Sequence, residues 1–238
     1  MELKIMSYNV LHCENYITKK IDFDAFANVI KTSGADIIGL NEIRGKGIIP
    51  GYTAQAKTLA ERLGYHYYFA RAIMVHGTSP YGNALLSRYP IKSAQTIMIP
   101  DPETRNGKHN YETRCILKAE IDVPCGLNVL VTHFGLNPEE QINAVRTVCD
   151  NLPSERCVLM GDFNATPDNA VLMPVKERMY DTAQCFDCEK LSFPSDKPEM
   201  KIDYMFTSKD ISVLCADIPE IILSDHRPYV AKIKFKIN

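Results

Sequence analysis

Six short segments carry side chains able to hold a metal ion or move a proton, and each follows a hydrophobic run of strand character. They are Ser7-Tyr8-Asn9, Gly39-Leu40-Asn41-Glu42-Ile43-Arg44, Val131-Thr132-His133, Gly161-Asp162-Phe163-Asn164, Lys201-Ile202-Asp203-Tyr204 and Leu223-Ser224-Asp225-His226. Asn9, Glu42, Asp162, Asn164 and Asp225 offer hard oxygen atoms that suit Mg²⁺ or Mn²⁺, and His133 and His226 can meet a phosphate. In open α/β sheets the ligand crevice lies outside the carboxyl ends of the strands, so strand ends of this composition predict one shared site. Taken singly, each has a plainer reading: a solvated loop carboxylate for Glu42 or Asp225, a structural hydrogen-bonder for a strand-end histidine, an Asx-turn for Gly-Asp-Phe-Asn. The weight lies in the ordered set.

The elements that would carry these residues alternate. Residues 3–10 predict a strand; Asp22 then caps a helix whose Phe23, Phe26, Ala27 and Ile30 share one face, closed by Gly34. A strand over 36–40, a helix over 53–63 ending at Gly64 and a strand over 65–69 complete a β-α-β-α-β run. Short strands over 84–87 and 95–99 follow, then 115–121 and 127–132, joined as a hairpin through Val123-Pro124-Cys125-Gly126. A helix over 139–151 and strands over 156–160, 202–206 and 229–235 finish the chain. No linker or repeat divides it, so a single domain over 1–238 is expected.

With 238 residues, 45% hydrophobic and 24% charged, the composition is that of a globular chain and excludes disordered, collagenous and low-complexity classes. No apolar run approaches the about 20 residues of a membrane-spanning helix. The alternation in Met1-Glu2-Leu3-Lys4-Ile5-Met6 predicts a strand where a secretory leader would show an apolar stretch. Eight scattered cysteines, several inside apolar runs such as Cys157-Val158-Leu159-Met160, suit reduced, buried thiols and predict a cytoplasmic location. The net charge of −2 provides no global basic field for nucleic acid, although a local basic groove stays open.

The ordered series Tyr8-Asn9, Asn41-Glu42, Tyr81-Gly82-Asn83 running into Ala84-Leu85-Leu86-Ser87-Arg88-Tyr89-Pro90-Ile91, Thr132-His133, Gly161-Asp162-Phe163-Asn164, Ile202-Asp203-Tyr204 and Ser224-Asp225-His226 resembles the endonuclease/exonuclease/phosphatase superfamily, typified by pancreatic-type DNase. The resemblance implies a four-layer α/β sandwich of two packed mixed β-sheets and metal-dependent hydrolysis of a phosphate ester. It implies Mg²⁺ or Mn²⁺ held by Glu42 with Asn9 beside it, and Asp225 completing the metal or histidine network. It assigns Asp162 to orient or deprotonate the attacking water, Asn164 to hold the nucleophile or a phosphate oxygen, His133 and His226 to contact the scissile phosphate, and Asp203 to orient His226. Arg44, Tyr81 and Arg114 match phosphate-contacting positions of the DNase branch. That branch has a glutamate two residues after its tyrosine to orient the first histidine; Asn83 stands here, which implies a different orientation for His133.

Other signals carry less. Cys185-Phe186-Asp187-Cys188 lacks the second pair of a structural zinc site, and Gly45-Lys46-Gly47 is not a P-loop. The segments Asn106-Gly107-Lys108-His109-Asn110 and Ser192-Phe193-Pro194-Ser195-Asp196-Lys197-Pro198 read as polar loops, and Lys197 reads as a solvated loop residue first and as a contact to an anionic substrate second. Ser224-Asp225-His226-Arg227-Pro228 resembles the inositol 5-phosphatase ending, but Asp203-Tyr204 stands where those enzymes typically have Asp-Arg, and the abasic-site nucleases usually lack a histidine at the His133 position. Near-neutral charge in a compact chain favours a small phosphodiester or a phospholipid headgroup as substrate. The alternatives are a DNA or RNA nuclease and a catalytically inactive binding module of the same fold, the last expected to have lost a carboxylate or histidine that this chain retains.

Overall fold

In a computed structural model describing residues 1–124 and 126–235, the strands are β1 (Glu2–Asn9), β2 (Glu14–Asn15), β3 (Lys20–Ile21), β4 (Ile37–Arg44), β5 (His66–Val75), β6 (Ser79–Ser87), β7 (Ile91–Met98), β8 (Cys115–Ile121), β9 (Leu127–His133), β10 (Cys157–Asp162), β11 (Tyr180–Asp181), β12 (Asp203–Thr207), β13 (Ile211–Asp217) and β14 (Tyr229–Phe235). The helices are α1 (Phe23–Ser33), α2 (Gln55–Leu63), α3 (Pro138–Asn151) and α4 (Met173–Arg178). Asp22 Oδ1 accepts from the Ala25 amide at 2.9 Å and starts α1, and Gly34 closes it at φ 68°, as the sequence predicts. Asn137 and Glu140 form a reciprocal capping box at the start of α3.

Two six-stranded sheets form, ordered β13-β14-β1-β4-β6-β5 and β11-β12-β10-β9-β8-β7. The first sheet's outer face, with Met6, Tyr8, Ile38 and Leu40, is covered by Phe26, Ile30 and Leu59 of α1 and α2. On the second sheet, Leu130, Leu159 and Phe206 pack under Val145 and Val148 of α3 and Val175 of α4. Between the sheets, Leu3, Ile5, Ile37 and Leu85 meet Leu117, Val129, Val131, Val158, Met160 and Met205. The result is the four-layer sandwich of two mixed sheets. Among the described residues parallel pairing is confined to β1 with β4 and β9 with β10; the rest of each ladder is antiparallel, a detail that the β-α-β-α-β pattern does not contain.

Side chains alternate across a strand, so the inner face is read at every second residue. Along β1 it runs Leu3, Ile5, Ser7, Asn9; along β4, Ile37, Gly39, Asn41; along β9, Val129, Val131, His133; along β10, Val158, Met160, Asp162; and β12, running the other way, places Asp203 two before Met205. The same faces that build the inter-sheet core therefore end in polar residues at one edge. Gly39 permits the close approach there: a Cβ on it would lie 2.7–2.9 Å from Met160 and Val131 of the other sheet. Gly161 is held at φ 145°, with the Thr132 carbonyl where a side chain would begin.

Cys125, expected in the hairpin turn, lies outside the described residues. The other seven cysteines are free thiols, and Cys185 and Cys188 join no group of metal-ligating side chains among the described residues. Denatured protein without reductant is expected to titrate with all eight thiols of the sequence; a shortfall of two under anaerobic handling would reveal a disulfide and contradict a reduced chain. No helix among the described residues is long and apolar enough to cross a membrane.

Candidate active site

Register brings the polar strand ends together. Asn9 pairs with Asn41, while Asp162 pairs with His133 on one side and Asp203 on the other. Asn41, fully buried, bridges the sheets: its Nδ2 donates to Asn83 Oδ1 (2.9 Å) and to the Thr132 carbonyl (2.8 Å), and its Oδ1 accepts from the Asp162 amide (3.0 Å). Asn83 in turn donates to the Cys115 carbonyl at 3.0 Å. A buried polar network satisfied this fully fixes one geometry, here the position of the Asp162 backbone.

Glu42 reaches the same edge through a β-bulge. The β4–β6 register shifts between Leu40 and Ile43, and Glu42 takes φ 61°. The extra residue turns its carboxylate into the site beside Asn41, at a backbone cost on the order of 1–3 kcal/mol for a non-glycine residue in this region. Asn164, at φ 47°, is held likewise, its amide donating to the Phe134 carbonyl at 3.0 Å.

Asn9 Nδ2 sits between two carboxylates, 3.2 Å from Glu42 Oε1 and 3.1 Å from Asp162 Oδ2, while its Oδ1 accepts from the Leu11 amide at 3.2 Å. Carboxylates only accept, so the amide nitrogen must face them. Asn9 thus spaces Glu42 and Asp162 through its amide nitrogen. Asp225, expected in the same donor set, accepts from its neighbour Ser224 Oγ at 3.1 Å and makes no hydrogen bond or ion pair to Asn9, Glu42 or Asp162 among the described residues. Its charge acts on His226.

His226 Nδ1 lies 2.8 Å from Asp203 Oδ2, and both are buried, as the expected orienting pair requires. Burial opposes the imidazolium, but the charges of Asp203 and then Asp162 outweigh it and raise the His226 pKa to about 10. His226 Nε2 faces Asp162 Oδ2 at 3.5 Å. Burial pushes Asp162 itself up to about 7, against the pull of the His226 charge. The segment before β12 braces this pair: Ser192 Oγ accepts from the Asp203 amide at 3.3 Å, and the Ser195 amide donates to the Asp225 carbonyl at 2.6 Å. Lys197 of that loop is exposed, and the loop's two buried serines are the residues that brace the pair.

His133 is oriented differently. Arg114 Nη1 lies 3.1 Å from its Nδ1, and the Asn164 side-chain nitrogen, which donates to the Phe134 carbonyl, lies 3.2 Å from its Nε2, so donors face both ring nitrogens, with Asp162 Oδ2 3.4 Å from Nε2. Burial first, and the Arg114 charge second, hold the His133 pKa well below the usual histidine value. The two histidines are therefore pushed in opposite directions, His226 toward the imidazolium and His133 toward the neutral ring. Arg114 stands in for the missing glutamate, and Glu112 balances it at 2.8 Å. Arg114→Met is expected to raise the His133 pKa in an NMR titration of the imidazole protons; an unchanged titration would remove Arg114 from this role.

Tyr81 is buried at the same edge, and Arg44 packs its guanidinium over Tyr52 at 5.0 Å with a buried Nε that has no partner. One further residue belongs here that the sequence reading missed. His12 follows β1 in a turn where Leu11, His12 and Cys13 all have positive φ, and its ring meets the Tyr81 ring edge-on at 5.4 Å beside Glu42. Its signal in the sequence is a histidine three residues beyond Asn9, on the same strand end.

The sequence profile described as Endonuclease/Exonuclease/phosphatase family matches residues 6–226, which includes every one of these residues. The chain belongs to the endonuclease/exonuclease/phosphatase family. It is thereby a phosphoesterase-type hydrolase. Solved structures agree on the fold. An endonuclease/exonuclease/phosphatase from Beutenbergia cavernae superposes with a TM-score of 0.81 at 22% identity, over 98% of this chain and 72% of that one. A mannosyl-6-phosphatase from Bacteroides thetaiotaomicron gives 0.77 at 18% identity, over 98% and 100%. ANGEL2, a 2',3'-cyclic phosphatase solved with adenosine-2',3'-vanadate, gives 0.70 at 18% identity, over 100% and 96%. No curated protein matches the sequence.

Proposed function

We propose that this family member is a divalent-metal-dependent phosphoesterase that cleaves a small phosphodiester or a phospholipid headgroup by in-line attack of water. The observation that carries the reading is the asymmetric histidine pair around Asp162: one imidazole paired with the Asp203 carboxylate and one facing the Arg114 guanidinium. Such an arrangement offers an N–H donor to a phosphate oxygen and a carboxylate to take the proton of water.

A divalent cation fits the donors present. Glu42 and Asp162 turn carboxylate oxygens to one amide nitrogen, Glu42 is 20% exposed at its side chain, and Asp203 Oδ1 is buried without a partner. Hard anionic oxygens crowded in this way suit Mg²⁺ or Mn²⁺, with Glu42 holding the ion and Asp162 left beside it. When bound, the ion supplies positive charge against the charge that develops on the phosphate oxygens. Asp162 accepts the proton of the attacking water. As the water oxygen bonds to phosphorus and the bond to the leaving oxygen breaks, His226 Nε2–H gives that oxygen its proton, while His133 lies against the phosphate group. Asn164 holds the water or an oxygen of the phosphate, and Arg44 and Tyr81 take the remainder of the phosphate group. Scattered thiols favour a reducing compartment, the cytoplasm.

The small-substrate choice is supported by where the basic residues are spent. Arg114 is tied to Glu112 and His133, which leaves Arg44 among the described residues as an arginine free to meet a phosphate at the site, while Lys46, Lys108 and Lys197 are exposed on loops. A duplex track would neutralise several phosphates, each steepening the log–log fall of binding with salt by about 0.9. A panel of bis-p-nitrophenyl phosphate, p-nitrophenyl phosphate, phospholipids, plasmid DNA and single-stranded RNA, run at about 50 and 200 mM salt, tests this. Efficient, shallowly salt-dependent turnover of a small diester or a headgroup is expected. Plasmid nicking with a slope corresponding to about five phosphate contacts would make the protein a nuclease.

A further inference from the structure

His12 is a site histidine that these steps leave unused, and its surroundings are those of a metal ligand. Its Nδ1 lies 3.0 Å from the Glu42 carbonyl oxygen, an acceptor, so Nδ1 carries a proton and the lone pair of the neutral ring is on Nε2. Nε2 faces Glu42 Oε2 at 3.6 Å, with the two side chains 22% and 20% exposed. That separation is too long for a hydrogen bond, which spans about 2.7–3.2 Å for nitrogen and oxygen. It does suit one cation about 2.1 Å from each atom, since half of the separation is less than one such bond. The ring plane is fixed by the Nδ1–H bond to a carbonyl and by the Tyr81 edge, the arrangement in which ligating histidines are commonly held.

We propose that His12 Nε2 is a ligand of the divalent cation held by Glu42, and that it turns the preference of the site from Mg²⁺ toward transition cations such as Mn²⁺ and Co²⁺. The inference rests on the metal-dependent reading above. Mg²⁺ takes oxygen ligands and gives up water reluctantly, whereas imidazole nitrogen binds first-row transition cations more strongly.

The test uses the full chain, stripped of metal and titrated with Mn²⁺ or Mg²⁺ alone. By calorimetry, His12→Asn should weaken Mn²⁺ binding by about tenfold or more and Mg²⁺ binding by less than about threefold. Asparagine is chosen because it tolerates the left-handed backbone at this position, φ 56°. Independently of any variant, pulsed EPR of Mn²⁺ on the wild-type chain should show coupling to a directly bound nitrogen, and His12→Asn should abolish it. Absence of that coupling in the wild type, or its persistence in His12→Asn, overturns the inference. If Glu42→Gln loses the metal in the same series, the phosphoesterase reading stands without His12. Should the wild-type chain bind neither cation, both fall.

Discussion

Replacing Asp162 by asparagine is expected to lower phosphodiester hydrolysis by about 10²–10⁴-fold, the usual contribution of a positioned proton acceptor. The fold should persist, because an asparagine oxygen can still accept from the Asn164 amide, 2.9 Å from Oδ1 in the wild-type chain. Circular dichroism and thermal unfolding check that condition. The pH profile carries the same argument further. Asp162 must be ionised to take a proton, so kcat/KM rises with pH through its pKa, raised by burial to about 7 in the absence of a cation. A bound cation favours the ionised form and moves this limb to lower pH. The rate falls again at alkaline pH as His226 loses the proton that Asp203 and Asp162 hold up to about 10. Asp203→Asn removes the larger of those two influences and should move the alkaline limb toward neutrality. An alkaline limb that stays in place in Asp203→Asn would show that His226 is not the group that titrates.

Glu42→Gln is expected to have an effect of similar size by another route. The change preserves volume and still lets an oxygen accept from Asn9 Nδ2, so the bulge in β4 should survive. What is lost is the negative charge that holds a hard cation. Mn²⁺ or Mg²⁺ affinity should fall and the rate at sub-saturating metal should drop by orders of magnitude, with partial recovery at high metal. Wild-type activity in Glu42→Gln at low metal would place the ion elsewhere.

Legibility in the sequence followed local strength of signal. The capped α1, with Asp22 before it and Gly34 after it, and β14 over Tyr229–Phe235 appear where pattern and capping chemistry put them. The strand over 36–40 is longer in the structure, reaching Arg44, because Asn41 and Glu42 read locally as loop residues. Asn41 can stay in the strand only because Asn83, Thr132 and Asp162 satisfy it from distant parts of the chain. β13, an edge strand with a bulge and an exposed Leu214 and Cys215, alternates too poorly to be recognised, and α4 is a single short helix whose burial depends on tertiary packing. At the site, residue types identified Glu42, His133, Asp162, Asp203 and His226, and the structure brings them to one edge. Contacts set by tertiary packing were not legible: Asn9 between Glu42 and Asp162, Arg114 beside His133, and Ser224 against Asp225. His12 was passed over because the left-handed turn that carries it has no strong local signature, although it stands three residues beyond Asn9.

Metal dependence is decided by the rate of bis-p-nitrophenyl phosphate hydrolysis by the wild-type chain after exhaustive chelation, followed by stepwise return of Mn²⁺. No turnover above background is expected in the stripped protein, and a saturable recovery that Glu42→Gln shifts to much higher metal. Full activity in the presence of excess EDTA would contradict that dependence.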